Sequence, residues 1–543
     1  SGSIGLSIMN RLVDKGVGVS YFFSSGNEAD LGLCDFFEFL LEEPSISIIG
    51  AFIESIRDPQ RFLRLAERAL ELGKPIVALR AGTSEKGART ILAHTGSLAG
   101  SKEVYEAVFR SKGVLRAESY DDLIAMIELL AKSRKLPRRG RLGVITTSGG
   151  SAGVLADNCA SYDIELPDIS EATREAISQM QAFGTAQNPL DLTGQIASDP
   201  LLFQKCLDLL LKDEAIDILL LIFTNLFGEL GKGILDRVKE ELQRSDKPII
   251  ALLTGGSITD ECMQPAWKGP LPIFRGFHEC LRSVKAVTDY AHFLEKRERR
   301  SEKQEEIVSP EELAGIRNEL MGKKGTLTEE ESKALLSRYH IPVTREKLAS
   351  SQEEAQRLAD DIGYPVAMKV VSPQILHKTE AQVIQLNVRN EKELEETYSL
   401  LLERAHNYNP SAEIKGVLIQ EMVTGGTETI VGISCDPTFG LTVLFGMGGI
   451  YTELLKDVSL RLVPVSQEDA REMIREIKGY EILEGARGRP PGDVEGTATT
   501  IWKLSRLARD LGDLLAAVDI NPLVVRQEGL GVKGVDALGV LKE

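Results

Sequence analysis

Strand-like apolar runs that alternate with amphipathic helical stretches constrain the fold of this chain more than any other feature. Residues 47–53 form a short apolar run, residues 60–72 show helical spacing, and residues 75–80 form the next apolar run. The same kind of run returns at residues 216–224 and 248–253. Alternation of this type is typical of proteins in which helices connect parallel strands. We therefore predict an α/β fold with parallel sheets.

The overall charge of the chain limits its partners. The 543 residues carry a formal net charge of −17, which argues against nucleic acid because binding to its phosphates requires a basic surface. Any site for an anionic nucleotide or coenzyme must therefore be local, built from helix N-termini, lysine, arginine or a bound metal.

The cysteine pattern bears on the compartment. Six cysteines are scattered along the chain without a Cys-x-x-Cys pair, which argues against a disulfide framework and against a zinc site. We expect a reduced, cytoplasmic environment. No apolar run reaches the roughly 18 residues that a membrane span requires, and no signal peptide is visible. The chain opens inside a motif at Ser1, as a fragment of a longer protein would.

Changes in composition divide the chain into three units and a linker. A break in the pattern separates a first α/β unit, residues 1–137, from a second α/β unit, residues 138–294. Residues 295–325 begin with the charged run EKRERRSEKQEE, which we assign as a solvated linker, with an exposed helix as the alternative. Residues 326–543 form the last unit, which ends in a predicted hairpin.

A histidine in a loop of small residues is the clearest chemical signal. His94 lies in the segment AHTGSLAG after the run 75–80, and its small neighbours leave an imidazole exposed and free to move. Glu54 directly follows the run 47–53. Since the carboxyl ends of parallel strands meet at one sheet edge, Glu54 is placed to accept a hydrogen bond from one imidazole nitrogen. That bond would raise the nucleophilicity of the other nitrogen. A surface glutamate at a strand end is the plain alternative.

Two helices that open on Ser-Gly are candidate phosphate sites. One begins at Ser1-Gly2 and the other at Ser148-Gly149-Gly150. The first N–H groups of a helix lack intrahelical partners and carry the positive end of the helix dipole. Glycine also lets an anion approach the backbone closely. Two such ends that face one point would hold a phosphoryl group on a histidine, whereas an ordinary helix cap is the alternative for each.

The last unit carries signals of nucleotide binding. Residues 364–371 form a strand that contains Lys369, and a strand lysine that points into a cleft suits nucleotide phosphates. Residues 414–419 form a strand that leads into a hinge, where backbone groups can read adenine and Glu421 can contact the base or its amino group. The nucleotide-binding candidates are Lys369, Glu421, Met422, Val423 and Glu428.

The end of the chain predicts a metal site. Asn521 lies in the segment DINPL, before a hairpin whose turn centres near Glu528-Gly529. In such a hairpin Asn521 faces Asp536 across the ladder, so that their side-chain oxygens meet. One or two such oxygens together with nucleotide phosphates form the usual magnesium site. A structural polar pair at a sheet edge is the alternative.

Taken together, these segments resemble the ADP-forming (NDP-forming) acyl-CoA synthetases, relatives of succinyl-CoA synthetase. The resemblance extends over nearly the whole chain. It rests on the segments SSGNEAD (24–30), FIE (52–54), GARTILAHTGSLAG (87–100), NPLDLTG (188–194), GYP (363–365), SP (372–373), HK (377–378) and DINPL (519–523). It implies two flavodoxin-like ligase domains, the first with a phosphohistidine loop, followed by an ATP-grasp fold with two subdomains.

The resemblance also implies a reaction. Acyl-CoA, phosphate and ADP interconvert with a carboxylic acid, CoA and ATP, with Mg²⁺ as the metal. A bound acyl phosphate passes its phosphoryl group to His94, whose loop swings toward the nucleotide, and His377 matches a second relay histidine. Glu54 matches the acid that steadies the first phosphohistidine, in a reaction catalysed mostly by positioning and charge neutralisation. The residues that match nucleotide and magnesium positions are Lys369, Glu421, Asn521 and Asp536.

Two departures from the family pattern bear on function. Family members place a CoA-binding Rossmann-like domain before the first ligase domain, and this sequence starts after that point. We therefore expect either a truncated sequence or a partner chain that supplies CoA binding, within a homo- or hetero-oligomer. After His377, the usual Gly-Gly-Val is replaced by Ala381-Gln382-Val383, where side chains would alter loop motion or nucleotide approach.

Two other functions fit the same sequence. One is the acyl-CoA-synthetase-like part of a protein lysine acetyltransferase, which would carry a further acetyltransferase domain that does not follow Glu543. The other is a non-catalytic regulator that senses nucleotide or CoA. The leading hypothesis is an ADP-forming acyl-CoA synthetase that acts on acetate or another small acid.

Overall fold

The computed structural model divides the chain into two compact units, Ser1–Lys303 and Gln304–Glu543. It describes residues 2–84, 86–87, 89, 101–133, 135–137, 139–181, 184–192, 195–299, 306–375, 381–448 and 457–542. Three predicted site residues, Ser1, His94 and His377, lie outside the described residues. No helix in the described part of the chain is long and apolar enough to span a bilayer.

A three-stranded parallel sheet forms the first part of the Ser1–Lys303 unit. Its strands are β1 (Ile49–Ile53), β2 (Ile76–Arg80) and β3 (Leu115–Ala117), paired in that order. The helices of this part are α1 (Gly2–Asp14), α2 (Leu33–Glu42), α3 (Pro59–Glu71), α4 (Lys102–Ser111) and α5 (Tyr120–Lys132). The Ser101 hydroxyl accepts from Val104 N–H and so caps α4.

A five-stranded parallel sheet forms the second part of this unit. Its strands are β4 (Leu142–Thr146), β5 (Leu190–Asp191), β6 (Ile218–Phe223), β7 (Ile249–Leu253) and β8 (Ile273–Phe274). The spatial order is β5-β4-β6-β7-β8, the flavodoxin-like order in which ligands bind where the chain reverses direction, between β4 and β6. Strands β4, β6 and β7 are buried along their whole length, as expected for parallel strands covered on both faces.

The helices of this second part follow the strands in the expected alternation. They are α6 (Gly149–Ser161), α7 (Glu171–Met180), α8 (Gln195–Ser198), α9 (Pro200–Lys212), α10 (Gly228–Arg244), α11 (Ser257–Trp267) and α12 (Phe277–Arg299). Two apolar cores, one on each face of the central strands, hold strands and helices together. The prediction of an α/β fold with parallel sheets is confirmed for this unit.

A buried charged triad joins α1 and α5 to strand β8. The Glu128 carboxylate, whose side chain is 1% exposed, lies 2.6 Å from Lys15 Nζ and 2.9 Å from Lys132 Nζ. It also accepts a hydrogen bond from Ile273 N–H, and Lys15 donates to the Ile273 carbonyl. One carboxylate therefore connects the two sheets of the Ser1–Lys303 unit.

Asp213 fixes the start of helix α7. Its carboxylate accepts hydrogen bonds from Ser170 N–H at 2.9 Å and from Ala215 N–H at 2.9 Å. Burial alone would raise the pKa of Asp213, but these N–H donors hold it below the ordinary value of 3.8. Because the pKa of Asp213 is lower in the folded protein than in the unfolded chain, its ionised carboxylate contributes its full stabilisation at a pH above the pKa of the unfolded chain. That stabilisation is lost as the pH falls from there through the pKa of the folded protein.

We expect Asp213→Asn to destabilise the Ser1–Lys303 unit by about 1–3 kcal/mol at pH 7, because the amide NH₂ would face the Ser170 N–H donor. The thermal unfolding midpoint, measured between pH 7 and pH 3, reports the effect, and the gap from the wild type should shrink below about pH 4. Glu214→Gln removes an exposed neighbouring charge and serves as the control. A gap that persists unchanged at pH 3 would contradict this account.

The predicted linker contains ordered helical residues at both ends. Helix α12 continues through residues 295–299. Helix α13 (Pro310–Met321) places Ile316 and Leu320 in the core of the Gln304–Glu543 unit. The charged run therefore includes a helix end, as the alternative interpretation allowed, and the apolar face of α13 belongs to the following unit. The proposed domain limits at 137, 294 and 325 otherwise stay predictions.

Two antiparallel sheets build the Gln304–Glu543 unit. One has the order β11-β10-β12-β9, and the other has the order β15-β14-β13-β16-β17, with β18 also paired to β16. The strands are β9 (Glu346–Ala349), β10 (Val366–Val371), β11 (Ile384–Val388), β12 (Gly416–Glu421), β13 (Thr427–Asp436), β14 (Gly440–Met447), β15 (Val458–Leu462), β16 (Leu515–Val525), β17 (Val532–Gly534) and β18 (Ala537–Leu541). The expectation of parallel sheets is wrong here, because β13 alternates buried and half-buried residues and covers a core on one face only.

Helices cover the core face of each of these sheets. They are α14 (Glu329–Arg338), α15 (Gln352–Ile362), α16 (Glu391–Tyr408), α17 (Gln467–Glu476), α18 (Tyr480–Leu483) and α19 (Val494–Leu511). Ala355 and Leu394 pack under the four-stranded sheet, while Ile501 and Leu504 pack under the larger one.

Candidate functional site

Glu54 lies at the carboxyl edge of the three-stranded sheet. It directly follows β1, whose last residue Ile53 pairs with Arg80 at the end of β2. Arg80 is buried, and its guanidinium carbon lies 3.7 Å from the centroid of the Tyr105 ring on α4. The Tyr105 hydroxyl in turn accepts from Ile56 N–H at 3.3 Å. Arg80, which precedes the His94 segment, and Tyr105, which follows it, thus meet at the sheet edge where Glu54 follows β1.

Arg80 and Tyr105 are two residues of this edge that were not predicted from the sequence. Burial lowers the pKa of Arg80 below its ordinary value, although nearby acidic groups oppose the shift. An arginine holds its charge even then, so this edge carries a buried cation. The sequence does indicate Arg80, because a charged residue ends an otherwise apolar strand there.

The described residues of the two predicted Ser-Gly helix starts are Gly2 and Ser148-Gly149-Gly150. Gly2 is the first residue of α1, and a Cβ there would lie 3.5 Å from the Ser24 hydroxyl. Ser148 caps α6, because its hydroxyl accepts from Ser151 N–H. A Cβ at Gly149 would lie 2.9 Å from Asp191 Oδ2, so an ordinary side chain would displace that carboxylate. The cap confirms the helix start, and phosphate binding at either end stays a prediction.

Hydroxyl groups line the switch point of the five-stranded sheet. Ser151 lies 3.4 Å from Thr224, which follows β6, and Thr224 lies 3.0 Å from Thr254, which follows β7. These hydroxyls and the N-terminus of α6 meet at the carboxyl edge between β4 and β6. Hydroxyl and N–H donors at such an edge are suited to an anionic group.

Lys369 and Asp536 come together in the Gln304–Glu543 unit. Lys369 lies on β10 with a side chain that is 5% exposed, and its Nζ is 2.5 Å from Asp536 Oδ1 and 3.3 Å from Glu329 Oε1. Burial alone would lower the pKa of Lys369, but these two carboxylates raise it above its ordinary value. The lysine is therefore a fixed positive charge.

The two carboxyl groups next to Lys369 influence each other. Burial and a hydrogen bond with Glu329 raise the pKa of Asp536. Burial would also raise the pKa of Glu329, but the hydrogen bond with Asp536 and the charges of Lys369 and Lys333 lower it well below its ordinary value. Glu329 therefore lies as a carboxylate between Lys369 and Lys333.

A further buried layer, which was not predicted from the sequence, supports this cluster. Lys333 contacts Glu329, Thr344 and Glu346, and burial raises the pKa of Glu346. Gln420 Nε2 donates to Glu346 Oε2 at 2.6 Å and to the Val535 carbonyl at 2.8 Å, next to Asp536. The spacing of Glu329 and Lys333 on one helix was the available signal, but such pairs usually face solvent.

The hairpin register places Asn521 opposite Asp536, as predicted. Leu523 pairs with Gly534 and Ile520 with Ala537, and Asn521 N–H donates to the Asp536 carbonyl at 3.1 Å. Val518 and Ile520 point into the core, so Asp519 and Asn521 lie on the opposite face of β16.

The donor set on this face fits Mg²⁺. It offers the Asn521 amide oxygen and the Asp536 carboxylate, and Asp519 adds a second carboxylate, whose pKa is raised by burial. Hard oxygen ligands of this kind suit Mg²⁺, which usually takes only one or two of them from protein. The described residues contain no group of three or more His, Cys, Asp or Glu side chains that could hold a metal alone, so a magnesium ion here would need phosphate oxygens as well. The metal role of Asn521 and Asp536 stays a prediction.

The predicted hinge follows β12, but the Glu421 carboxylate is already engaged. It accepts from Lys533 Nζ at 2.8 and 3.0 Å and from Arg345 N–H at 3.0 Å. Met422 and Val423 are half-buried, and their backbone groups therefore remain the candidates for hydrogen bonds to the adenine base. Glu428 is exposed at the start of β13.

Gln382, one of the two residues that replace the usual glycines after His377, has a backbone conformation that is strained for a residue with a side chain. Gln382 has a φ of +53°, in the left-handed region that glycine adopts without strain. Its carbonyl accepts from Arg404 at 3.2 Å. The backbone conformation is therefore one that suits glycine, although this chain carries a glutamine.

Comparisons with known proteins agree with this architecture. Family models match for the succinyl-CoA ligase-like flavodoxin domain at residues 1–130, the ligase-CoA domain at residues 142–281 and the ATP-grasp domain at residues 319–538. The acetate–CoA ligase [ADP-forming] I of Archaeoglobus fulgidus is 35% identical over 100% of this chain and 77% of its own length. The chain belongs to the ADP-forming acyl-CoA synthetases.

Other relatives show the range of this family. The 4-hydroxybutyrate–CoA ligase [ADP-forming] of Nitrosopumilus maritimus is 31% identical over 99% of this chain and 76% of its own length. Among solved structures, the acetyl-coenzyme A synthetase 1 of Ca. Korarchaeum cryptofilum in complex with phosphate and ADP gives a TM-score of 0.50. That protein is 28% identical, and the match covers 55% of this synthetase chain and 65% of the solved chain. The resemblance stated from sequence is thereby confirmed, including the flavodoxin-like domains followed by an ATP-grasp domain.

Proposed function

We propose that the chain interconverts acyl-CoA, ADP and phosphate with a small carboxylic acid, CoA and ATP through a phosphohistidine at His94. The observation that carries this proposal is the buried Lys369, held beside Asp536 with Asn521 across the hairpin. A fixed cation next to hard oxygen ligands is the arrangement that a magnesium nucleotide requires. Acetate is the proposed acid, with other small acids open because relatives act on different ones.

The proposed reaction has three transfers. Phosphate attacks the thioester carbonyl, which releases CoA and leaves an acyl phosphate. The His94 imidazole then attacks phosphorus, the acid leaves, and His94 carries the phosphoryl group. Finally a terminal oxygen of ADP takes that group, either directly from His94 or through His377, to give ATP. A CoA-binding domain, in a longer chain or on a partner subunit, completes the first step.

Each proposed residue has one task in these transfers. Glu54 accepts a hydrogen bond from the His94 imidazole and fixes its tautomer. The N–H groups at Gly2 and at Ser148, Gly149 and Gly150 neutralise phosphoryl oxygens. Lys369 neutralises the nucleotide phosphates, and a Mg²⁺ ion held by Asn521 and Asp536 would neutralise the charge that develops on them. Backbone groups of Met422 and Val423 hold the base.

Transfer of label from ATP onto protein tests the proposal. We expect the wild-type chain to take up ³²P from γ-labelled ATP with Mg²⁺, and the label to be lost in acid and retained in base, as a phosphohistidine requires. His94→Ala should remove most of the label, and His94→Ala with His377→Ala should remove all of it. His406→Ala, at an exposed histidine without a motif, is the matched control. A wild-type chain that binds nucleotide without taking label would favour the regulator instead.

A further inference from the structure

Glu329 occupies a position that no predicted site residue covers. It is the first residue of α14, directly after the N-cap Thr328. Its Oε1 lies 3.0 Å from Lys333 Nζ and 3.3 Å from Lys369 Nζ. One carboxylate oxygen therefore contacts two buried lysines.

The donors of Lys369 are only partly used. An ammonium group has three N–H donors, and the described residues supply two acceptors, Asp536 at 2.5 Å and Glu329 at 3.3 Å. The third donor has no acceptor among the described residues, so it is available to a nucleotide phosphate oxygen. Since the side chain is 5% exposed, water does little to orient the ammonium group, and the two carboxylates must do so.

A bound metal would affect the contact of Lys369 with Asp536 but not its contact with Glu329. Asp536 is the proposed magnesium ligand, and a bound divalent cation would draw its charge away from Lys369. Glu329 is held from the other side by Lys333, whose three donors all have acceptors in Glu329, Thr344 and Glu346. Glu329 is thus the anion that stays with Lys369 when nucleotide and metal bind.

We propose that Glu329 is a positioning residue of the nucleotide site, which holds the Lys369 ammonium group in line with the nucleotide phosphates. This inference rests on the proposed function. Lys333 acts behind Glu329 as a structural anchor, and Glu329 acts on the phosphates only through Lys369. Because loss of Glu329 leaves the Lys369 charge in the site, its main effect is weaker nucleotide binding, with a smaller effect on the chemical step.

Nucleotide binding to Glu329→Gln tests this role. The change removes the charge and keeps the shape of the side chain. We expect the Kd for Mg·ADP, measured by isothermal titration calorimetry on the whole chain, to rise about tenfold. Binding of ADP without metal, measured in EDTA, should weaken by a similar factor, because the defect lies at Lys369 rather than at the metal. The KM for ATP in protein labelling should rise with Kd, while the maximal labelling rate changes less than threefold.

Two further variants separate positioning from general effects. Glu330→Gln removes a charge from the same first turn, at an exposed position, and should bind Mg·ADP like the wild type. Glu329→Asp keeps the charge one methylene away and should give an intermediate Kd. Should Glu329→Gln fail to fold, Glu329→Asp carries the test with an expected threefold or larger loss.

The outcomes distinguish this inference from the function on which it rests. If the wild-type chain binds Mg·ADP and Glu329→Gln binds it equally well, the positioning role is wrong and the proposed function stands. Equal weakening in Glu330→Gln also overturns the role. If the wild-type chain binds no Mg·ADP at all, both proposals are wrong.

Discussion

Lys369→Met should lower the rate of ATP-dependent protein labelling by about a hundredfold or more. A preorganised charge in a dry site contributes on the order of 10²–10³ to a reaction that develops charge at its target. Lys369 is such a charge, because two carboxylates keep it protonated and fixed although it is buried. Methionine keeps most of the volume and removes the charge, so the loss reports on electrostatics rather than on packing.

Stability must be followed in the same variant. Without the ammonium group, Glu329 and Asp536 face each other in a partly buried site, which costs free energy of folding. Lys347→Met removes a lysine from strand β9, where the side chain is 66% exposed, and should leave both labelling and stability close to the wild type. Labelling of Lys369→Met within threefold of the wild type, in folded protein, would exclude Lys369 from the nucleotide site.

Glu128→Met should destabilise the Ser1–Lys303 unit by about 3–5 kcal/mol, since it leaves two lysines near a buried site without their anion. Most of this loss comes from Lys132, because its side chain is only 5% exposed, whereas that of Lys15 is 30% exposed and can reach water. Burial already lowers the pKa of Lys132. We expect the thermal unfolding midpoint of the Ser1–Lys303 unit to drop by roughly 5–15 °C.

A paired variant identifies the cause of that loss. Glu128→Met with Lys132→Met removes both buried charges, and apolar replacement of a whole buried ion pair is often close to neutral. The double variant should therefore be more stable than Glu128→Met alone. If both are equally destabilised, the loss comes from the Ile273 N–H and the packing around β8 rather than from an unpaired charge.

Local signals predicted much of the fold. The run 75–80 became β2 at Ile76–Arg80, and Ser148 caps α6 at the predicted helix start. The same holds for the hairpin, in which turn position alone set Asn521 against Asp536. Caps, turns and apolar periods act over a few residues, so one sequence is enough to locate them.

Tertiary contacts decided what the sequence left open. Glu329 and Lys333 look like a solvated helix pair, and only the packing of α14 against the strands that carry Lys369 and Glu346 buries them. The partner of Glu421 is likewise distant in sequence, because Lys533 lies on β17. Antiparallel pairing in the Gln304–Glu543 unit also depends on which strands meet, which an apolar run does not specify.

The terminal hairpin offers a place to attach a reporter. Ladder pairs lie on both sides of Asn521 and Asp536, at Leu523–Gly534 and at Ile520–Ala537, whereas the tip at 527–530 is exposed. A short epitope or fluorescent tag inserted at the tip would lengthen the loop and leave the alignment of the two oxygen donors intact. One residue inserted between Gly534 and Ala537 would instead shift Asp536 out of register with Asn521 and separate their side-chain oxygens.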